Sequence, residues 1–160
     1  MTSEATQKEM QPLDDKVGGV SVITGRPPNF EAIAEVFPGA HADYVIFAYG
    51  DAIYTPNGQE LPPELMAHEL VHCRRQQAMG VEAWWDKYLT DGDFRYEEEL
   101  LAHIAEFKSI MSKYNYQDHA IARVRERALD HVAKKLAAPL YNGMVPVHKA
   151  RAAIKRGAKS

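Results

Sequence analysis

Apolar positions change their spacing along the chain at about residue 60. Before that point, residues 20–24 form a β-branched run that predicts a strand, and residues 43–54 are rich in Tyr, Val, Ile and Phe. Gly50-Asp51 within the second run predicts the turn of a hairpin. Between the two runs, residues 30–37 have apolar side chains at helical spacing, and a Pro-Pro pair precedes them. The first part of the chain is therefore predicted to form a small sheet with one short helix.

Beyond residue 60 the apolar positions follow the helical period. Pro62-Pro63 suits the first turn of a helix and Gly80 suits its end, so the segment between them is predicted to be one unbroken helix. A short aromatic helix over 81–89 follows, and then a long one over 94–113 with Asp93 as its cap.

The last apolar stripe predicts another helix, which begins near Asn115 and Asp118. It consists of Ile121, Val124, Ala128, Val132 and Leu136. Pro139 and Pro146 interrupt the pattern after it. The expected fold class is α+β, with a small N-terminal sheet or hairpin packed on a mainly helical C-terminal part.

Length and composition predict the domain organisation. The 160 residues are enough for one domain, which we place at residues 17–138, between a polar, disordered leader over 1–16 and a basic tail over 139–160. Residues 149–159 carry five basic side chains and no acidic one, and we expect a solvated, partly helical end. The single cysteine, Cys73, excludes an internal disulfide.

Net charge and hydropathy restrict the expected binding partners and the expected cellular location. A net charge of −3 favours neither nucleic acid nor a membrane as a partner, and no apolar run has transmembrane length. The leader lacks the apolar segment of a signal peptide. We therefore expect a cytoplasmic protein, unless a virion, a lysis event or a dedicated secretion system carries it elsewhere. The pattern does not indicate an oligomeric state.

The candidate metal-binding and catalytic residues lie in the middle of the predicted helix that follows Pro63, where residues 68–72 are His-Glu-Leu-Val-His. His68 and His72 are four residues apart, so both rings project from one helix face and can reach one metal ion. Glu69 lies about 100° around the helix, close enough to act on a water beside that ion. This HExxH pattern predicts a metal site with Glu69 as general base.

A catalytic zinc needs a third protein ligand. The extended HExxHxxGxxH pattern cannot supply it, because Arg75 and Ala78 stand where that pattern has glycine and histidine. The acidic run over 97–99 and His103 on the next long helix are the candidates.

Helical angle separates these candidates. The apolar stripe of that helix is Leu100, Ile104, Phe107 and Met111. Glu99 lies on the side shared with His103, whereas Glu98 lies nearly opposite the stripe and should face water. We choose Glu99, with Glu97 as the alternative if the register differs, and Glu98 and His103 stay open.

The chain resembles the gluzincin metallopeptidases, in which an HExxH helix is followed by a second helix that carries a glutamate. It is similar, over residues 43–107, to small zincin-like metallopeptidases of bacteria and phages. The resemblance rests on the following segments: 68–72, Gln76 or Gln77, Trp84-Trp85, Tyr88-Leu89, Phe94-Arg95 and 99–103. It implies a minimal zincin-like domain with one Zn²⁺ ion held by His68, His72 and Glu99. It also implies that residues 44–54 pair with an extended substrate.

The chain departs from the thermolysin-like pattern at His103, where that pattern has aspartate. His103 could orient a ligand, bind the metal or stabilise an oxyanion, and we assign it a role in the site. Other candidate oxyanion donors are Tyr88, Arg95 and Tyr96.

The expected function is a zinc peptidase that cleaves a protein, a peptide or peptidoglycan cross-links, with Glu69 as base. The first alternative is an inactive zincin fold that serves as a structural component of a virion or an effector. A nucleic-acid-linked regulator ranks third, because it rests on the basic tail alone.

Overall fold

The computed structural model describes residues 19–115, 117, 119–138 and 144–159, so the predicted leader lies outside the described residues. The fold is α+β and 65% helical, as the apolar pattern predicted. The elements are β1 (Ser21–Thr24), α1 (Phe30–Val36), a 3₁₀ turn (Pro38–His41), β2 (Phe47–Tyr49), β3 (Ala52–Thr55), α2 (Pro63–Met79), α3 (Val81–Thr90), α4 (Gly92–Ser112), α5 (Ile121–Leu136) and α6 (Val147–Ala158).

The three strands form one sheet in the order β1-β3-β2. β2 and β3 pair antiparallel as the predicted hairpin, with Ala48 opposite Ile53, and β1 adds to β3 in parallel. Gly50 supports the hairpin turn with a φ of 63°, a backbone conformation that costs glycine little. The predicted strand and hairpin are therefore confirmed, and β2 is left as an outer strand beside α2.

Helix α4 lies at the centre of the helical part and contacts α2, α3, α5 and α6. It begins two residues earlier than predicted, because the carboxylate of Asp91 accepts the backbone N–H groups of Asp93 and Phe94 at 3.0 and 3.1 Å. The prediction that Asp93 caps this helix was therefore wrong. Because neighbours cover several sides of α4, polar positions on it become buried.

The chain after residue 144 differs from the expected solvated tail. Helix α6 packs on α4 and α5, and its Ala150 and Ile154 are fully buried. Lys149, Lys155 and Arg156 are exposed, whereas Arg151 forms ion pairs with Glu126 and Asp130 of α5, so α6 is an amphipathic helix. Helix α5 begins at Ile121, and Asp118, expected near its start, lies outside the described residues.

No helix among the described residues is long and apolar enough to cross a membrane.

Candidate metal centre

Helix α2 presents one buried stripe toward α4 and the sheet. The stripe consists of His68, Glu69, His72, Cys73 and Gln76. Gln76 fixes the helix to the hairpin, since its Oε1 accepts the backbone N–H of Gly50 at 2.7 Å and its Nε2 donates to the carbonyl of Ala48 at 3.0 Å. Because Gln76 lies one turn after His72, these two hydrogen bonds fix the rotation of α2 about its axis. They therefore also fix the direction in which the side chains of both histidines point.

His68, His72 and Glu99 meet between α2 and α4. The Nε2 atoms of the two histidines are 3.2 Å apart, His72 Nε2 lies 3.2 Å from Glu99 Oε1, and His68 Nε2 lies 3.5 Å from Glu99 Oε2. Tetrahedral coordination with bonds of about 2.0–2.1 Å separates ligand atoms by about 3.3 Å. Glu99 approaches the two histidines through different oxygens, so these are the closest approaches of three side chains, here called the donor triangle, and they are compatible with one small cation.

Buried atoms of these side chains that lack hydrogen bonds also indicate a cation site. Among the described residues, Glu99 Oε2 and His72 Nδ1 are buried without a hydrogen-bond partner. Glu99 Oε2 has only two long contacts, at 3.5 Å to His68 Nε2 and to His103 Nδ1, and a bound cation would satisfy this buried oxygen at closer range. The donor set of imidazoles and carboxylate, with no thiolate, is one that several divalent metals accept.

His103 belongs to the same cluster. Ligand atoms of His68, Glu99 and His103 lie within 4.8 Å of one another, so this buried triad could also hold a metal ion. However, His103 Nδ1 lies 2.7 Å from the backbone carbonyl of Glu99 and must donate its proton there, so only Nε2 could act as a ligand. Burial lowers the pKa of His103 to about 3, which keeps its ring neutral.

Contacts of Tyr88 with Glu99, and of Glu98 with α2 and α3, fix the position of Glu99 on α4. The Tyr88 hydroxyl donates to Glu99 Oε1 at 2.6 Å. Glu98 is 1% exposed, because Arg75 binds both of its oxygens and the indole N–H of Trp84 donates to it at 3.0 Å. The prediction that Glu98 faces water was wrong, since α2 and α3 both cover that side of α4.

The charges of the cluster depend on one another. Burial alone would raise the pKa of Glu99, but His72 and His68 lower it well below the ordinary value. Burial would lower the pKa of His68, but Glu106 and Glu99 raise it to about 10. Metal-free protein therefore keeps a proton on His68, held between two carboxylates.

Glu69 lies beside the cluster on the wall of a cleft. It is 8% exposed, and burial raises the pKa of its carboxyl. His68, His72, Gln76 and Glu99 line the same cleft, and most of its other lining residues are apolar. Those walls include Ile33, Phe37, Val45, Phe47, Trp84, Trp85 and Tyr88. The arrangement places a carboxylate of raised pKa next to a candidate metal centre and an apolar surface.

The remaining candidates lie elsewhere. Glu97 is exposed, and Tyr96 packs against the core between α4, α5 and α6. Arg95 is buried and donates from Nε to the carbonyl of Tyr88 at 2.9 Å, which is a structural role. Sequence reasoning missed Glu106, whose carboxylate reaches His68. Its spacing of seven residues from Glu99, on the same face of α4, was the available signal.

Comparisons of the chain with protein-family models, curated proteins and solved structures found no match.

Proposed function

We propose that the protein is a gluzincin-type zinc peptidase, with one Zn²⁺ ion held by His68, His72 and Glu99. The observation that carries the proposal is the donor triangle of three side chains on two helices, whose closest nitrogen and oxygen atoms lie 3.2 to 3.5 Å apart. Glu69 stands beside this triangle in the cleft, as an HExxH peptidase requires.

Zinc at this position would polarise a peptide carbonyl and lower the pKa of water. Glu69 then accepts the proton of the attacking water and delivers it to the leaving amine. Burial suits Glu69 to both steps, because its raised pKa makes it a better base than an exposed carboxylate. Tyr88 holds the Glu99 carboxylate in position by its hydrogen bond to Oε1.

The substrate side of the proposal rests on the cleft and on β2. Apolar walls favour a peptide with a large apolar side chain near the cleaved bond. The outer edge of β2 lies beside α2 and could pair with an extended peptide. Gln76 already donates to the carbonyl of Ala48, so that group is not available to the substrate.

The test combines metal analysis with peptide cleavage. We expect the purified protein to bind one zinc per chain, and Glu69→Gln to keep the metal while the cleavage rate falls by about 10²–10⁴-fold. Glu97→Gln is the matched control, because Glu97 is exposed on α4. Full activity in Glu69→Gln would refute the role of Glu69, and unchanged zinc content in His72→Ala would refute the ligand set.

One observation favours a second function, that of a non-hydrolytic metal-binding protein. His68, Glu69 and His72 are only 6%, 8% and 5% exposed, so access to the centre is narrow. One zinc per chain without turnover across a peptide library would favour this second function over the first.

A further inference from the structure

We propose that Glu106 is a positioning residue of the metal centre, which orients His68 through the ring nitrogen that faces away from the metal, while Lys135 holds Glu106 from α5. This inference rests on the metal-binding part of the proposed function and does not require peptide cleavage.

The contacts form a chain of three side chains across two helix interfaces. Glu106 Oε2 lies 3.3 Å from His68 Nδ1, and His68 Nε2 belongs to the donor triangle. The other oxygen of Glu106, Oε1, accepts from the ammonium of Lys135. When Nδ1 donates to the carboxylate, the proton is fixed on that atom and Nε2 presents its lone pair to the cation.

The burial of Glu106 means that its carboxylate depends on these two partners. Glu106 is 1% exposed, whereas the side chain of Lys135 is 35% exposed. A carboxylate buried to this degree needs charged or hydrogen-bonding partners, and each of its two oxygens has one here. Lys135 lies in the last turn of α5, between Val132 and Leu136, which are fully buried in the core that joins α4 and α5. The docking of α5 therefore fixes the position of Lys135.

Glu106 also contributes charge to the centre. A carboxylate bonded to a ligand histidine raises the basicity of that ligand, and loss of such a partner typically weakens metal binding by about 10- to 100-fold. Glu106 is suited to this role because its second oxygen is fixed from the opposite side, so that the carboxylate cannot turn away from His68.

The experiment measures Zn²⁺ affinity by competition with a chromophoric chelator, and the visible spectrum of the Co²⁺-loaded protein. In Glu106→Gln we expect the Zn²⁺ dissociation constant to rise by about 10- to 100-fold, with a changed Co²⁺ spectrum. Glu64→Gln is the matched control, because Glu64 also forms an ion pair from α2, with Lys113 directly after α4 at 2.6 Å. We expect wild-type affinity and spectrum in that variant.

A double variant covers the case in which Glu106→Gln folds poorly. Replacing both members of a buried ion pair by apolar residues is often tolerated, so Glu106→Leu with Lys135→Met should fold and still lose the contact to His68. Wild-type affinity and spectrum in either folded variant would overturn the inference. If the wild-type protein binds no Zn²⁺ at this site, the proposed function fails instead, and the two failures are distinguishable.

Discussion

The ion pair between Arg75 and Glu98 should be a major determinant of stability, and it is open to a quantitative test. Arg75 makes three contacts to Glu98 at 2.7 to 3.1 Å, and the carboxylate is 1% exposed. Arg75→Met would leave a buried charge with the indole N–H of Trp84 as its remaining strong donor.

The expected cost follows from the burial of the two partners. Removal of one partner of a buried pair costs about 3–5 kcal/mol. The side chain of Arg75 is 50% exposed, so solvent screens part of the attraction, and we expect Arg75→Met to lower the free energy of unfolding by about 2–3 kcal/mol. Because most of this cost is the uncompensated charge, adding Glu98→Gln to Arg75→Met should recover part of it.

The assay is urea unfolding followed by circular dichroism, with Arg74→Met as the matched control, because Arg74 is the exposed neighbour of Arg75. We expect the control to stay within about 0.5 kcal/mol of wild type. An equally small effect of Arg75→Met, or a double variant less stable than Arg75→Met, would refute the reasoning. Glu98 precedes Glu99, so the same variant should also weaken Zn²⁺ binding.

Three further predictions concern α6, the cysteine and the metal. Ile154→Ala should lower the free energy of unfolding in urea by about 2–4 kcal/mol, because Ile154 is fully buried; unchanged stability would contradict the docking of α6. Cys73 is fully buried and burial raises its pKa to about 12, so thiol reagents at pH 8 should label it far more slowly in the folded than in the urea-unfolded protein; equal rates would contradict its burial. Zinc binding at pH 7.5 should release about one proton per ion, because the pKa of His68 is raised to about 10 and a ligand histidine must lose its proton; affinity should then fall as the pH falls. Titration calorimetry in buffers of different ionisation enthalpy measures this proton release, and a value near zero would contradict it.

Local signals were sufficient for the strands, the hairpin and α2. Gly50 marks the hairpin turn, and Pro63 and Gly80 lie at the ends of α2, so short-range backbone preferences set these boundaries. The HExxH pattern depends on a spacing of four residues within one helix and needs no tertiary information. For the same reason it gave the positions of His68 and His72 relative to each other.

The burial of the acidic residues on α4 depends on tertiary packing and could not be predicted from the sequence alone. Glu98 and Glu99 differ by about 100° on α4, and the apolar stripe alone placed only one of them toward a neighbour. In the folded protein both are buried, because α2, α3, α5 and α6 surround α4. The role of Glu106 depends on Lys135, 29 residues further along the chain, a pairing that helical period does not reveal.

Charge balance in the centre explains why a divalent cation suits this site. Four carboxylates are buried around the cluster, those of Glu69, Glu98, Glu99 and Glu106. Arg75 balances one of them and Lys135 another, which leaves Glu69 and Glu99. In the metal-free protein the raised pKa of His68 holds one proton against these two charges. A cation of charge +2 that displaces this proton balances both carboxylates, whereas a monovalent ion would leave one of them unbalanced. Metal binding and the loss of the His68 proton are therefore expected to be one linked event.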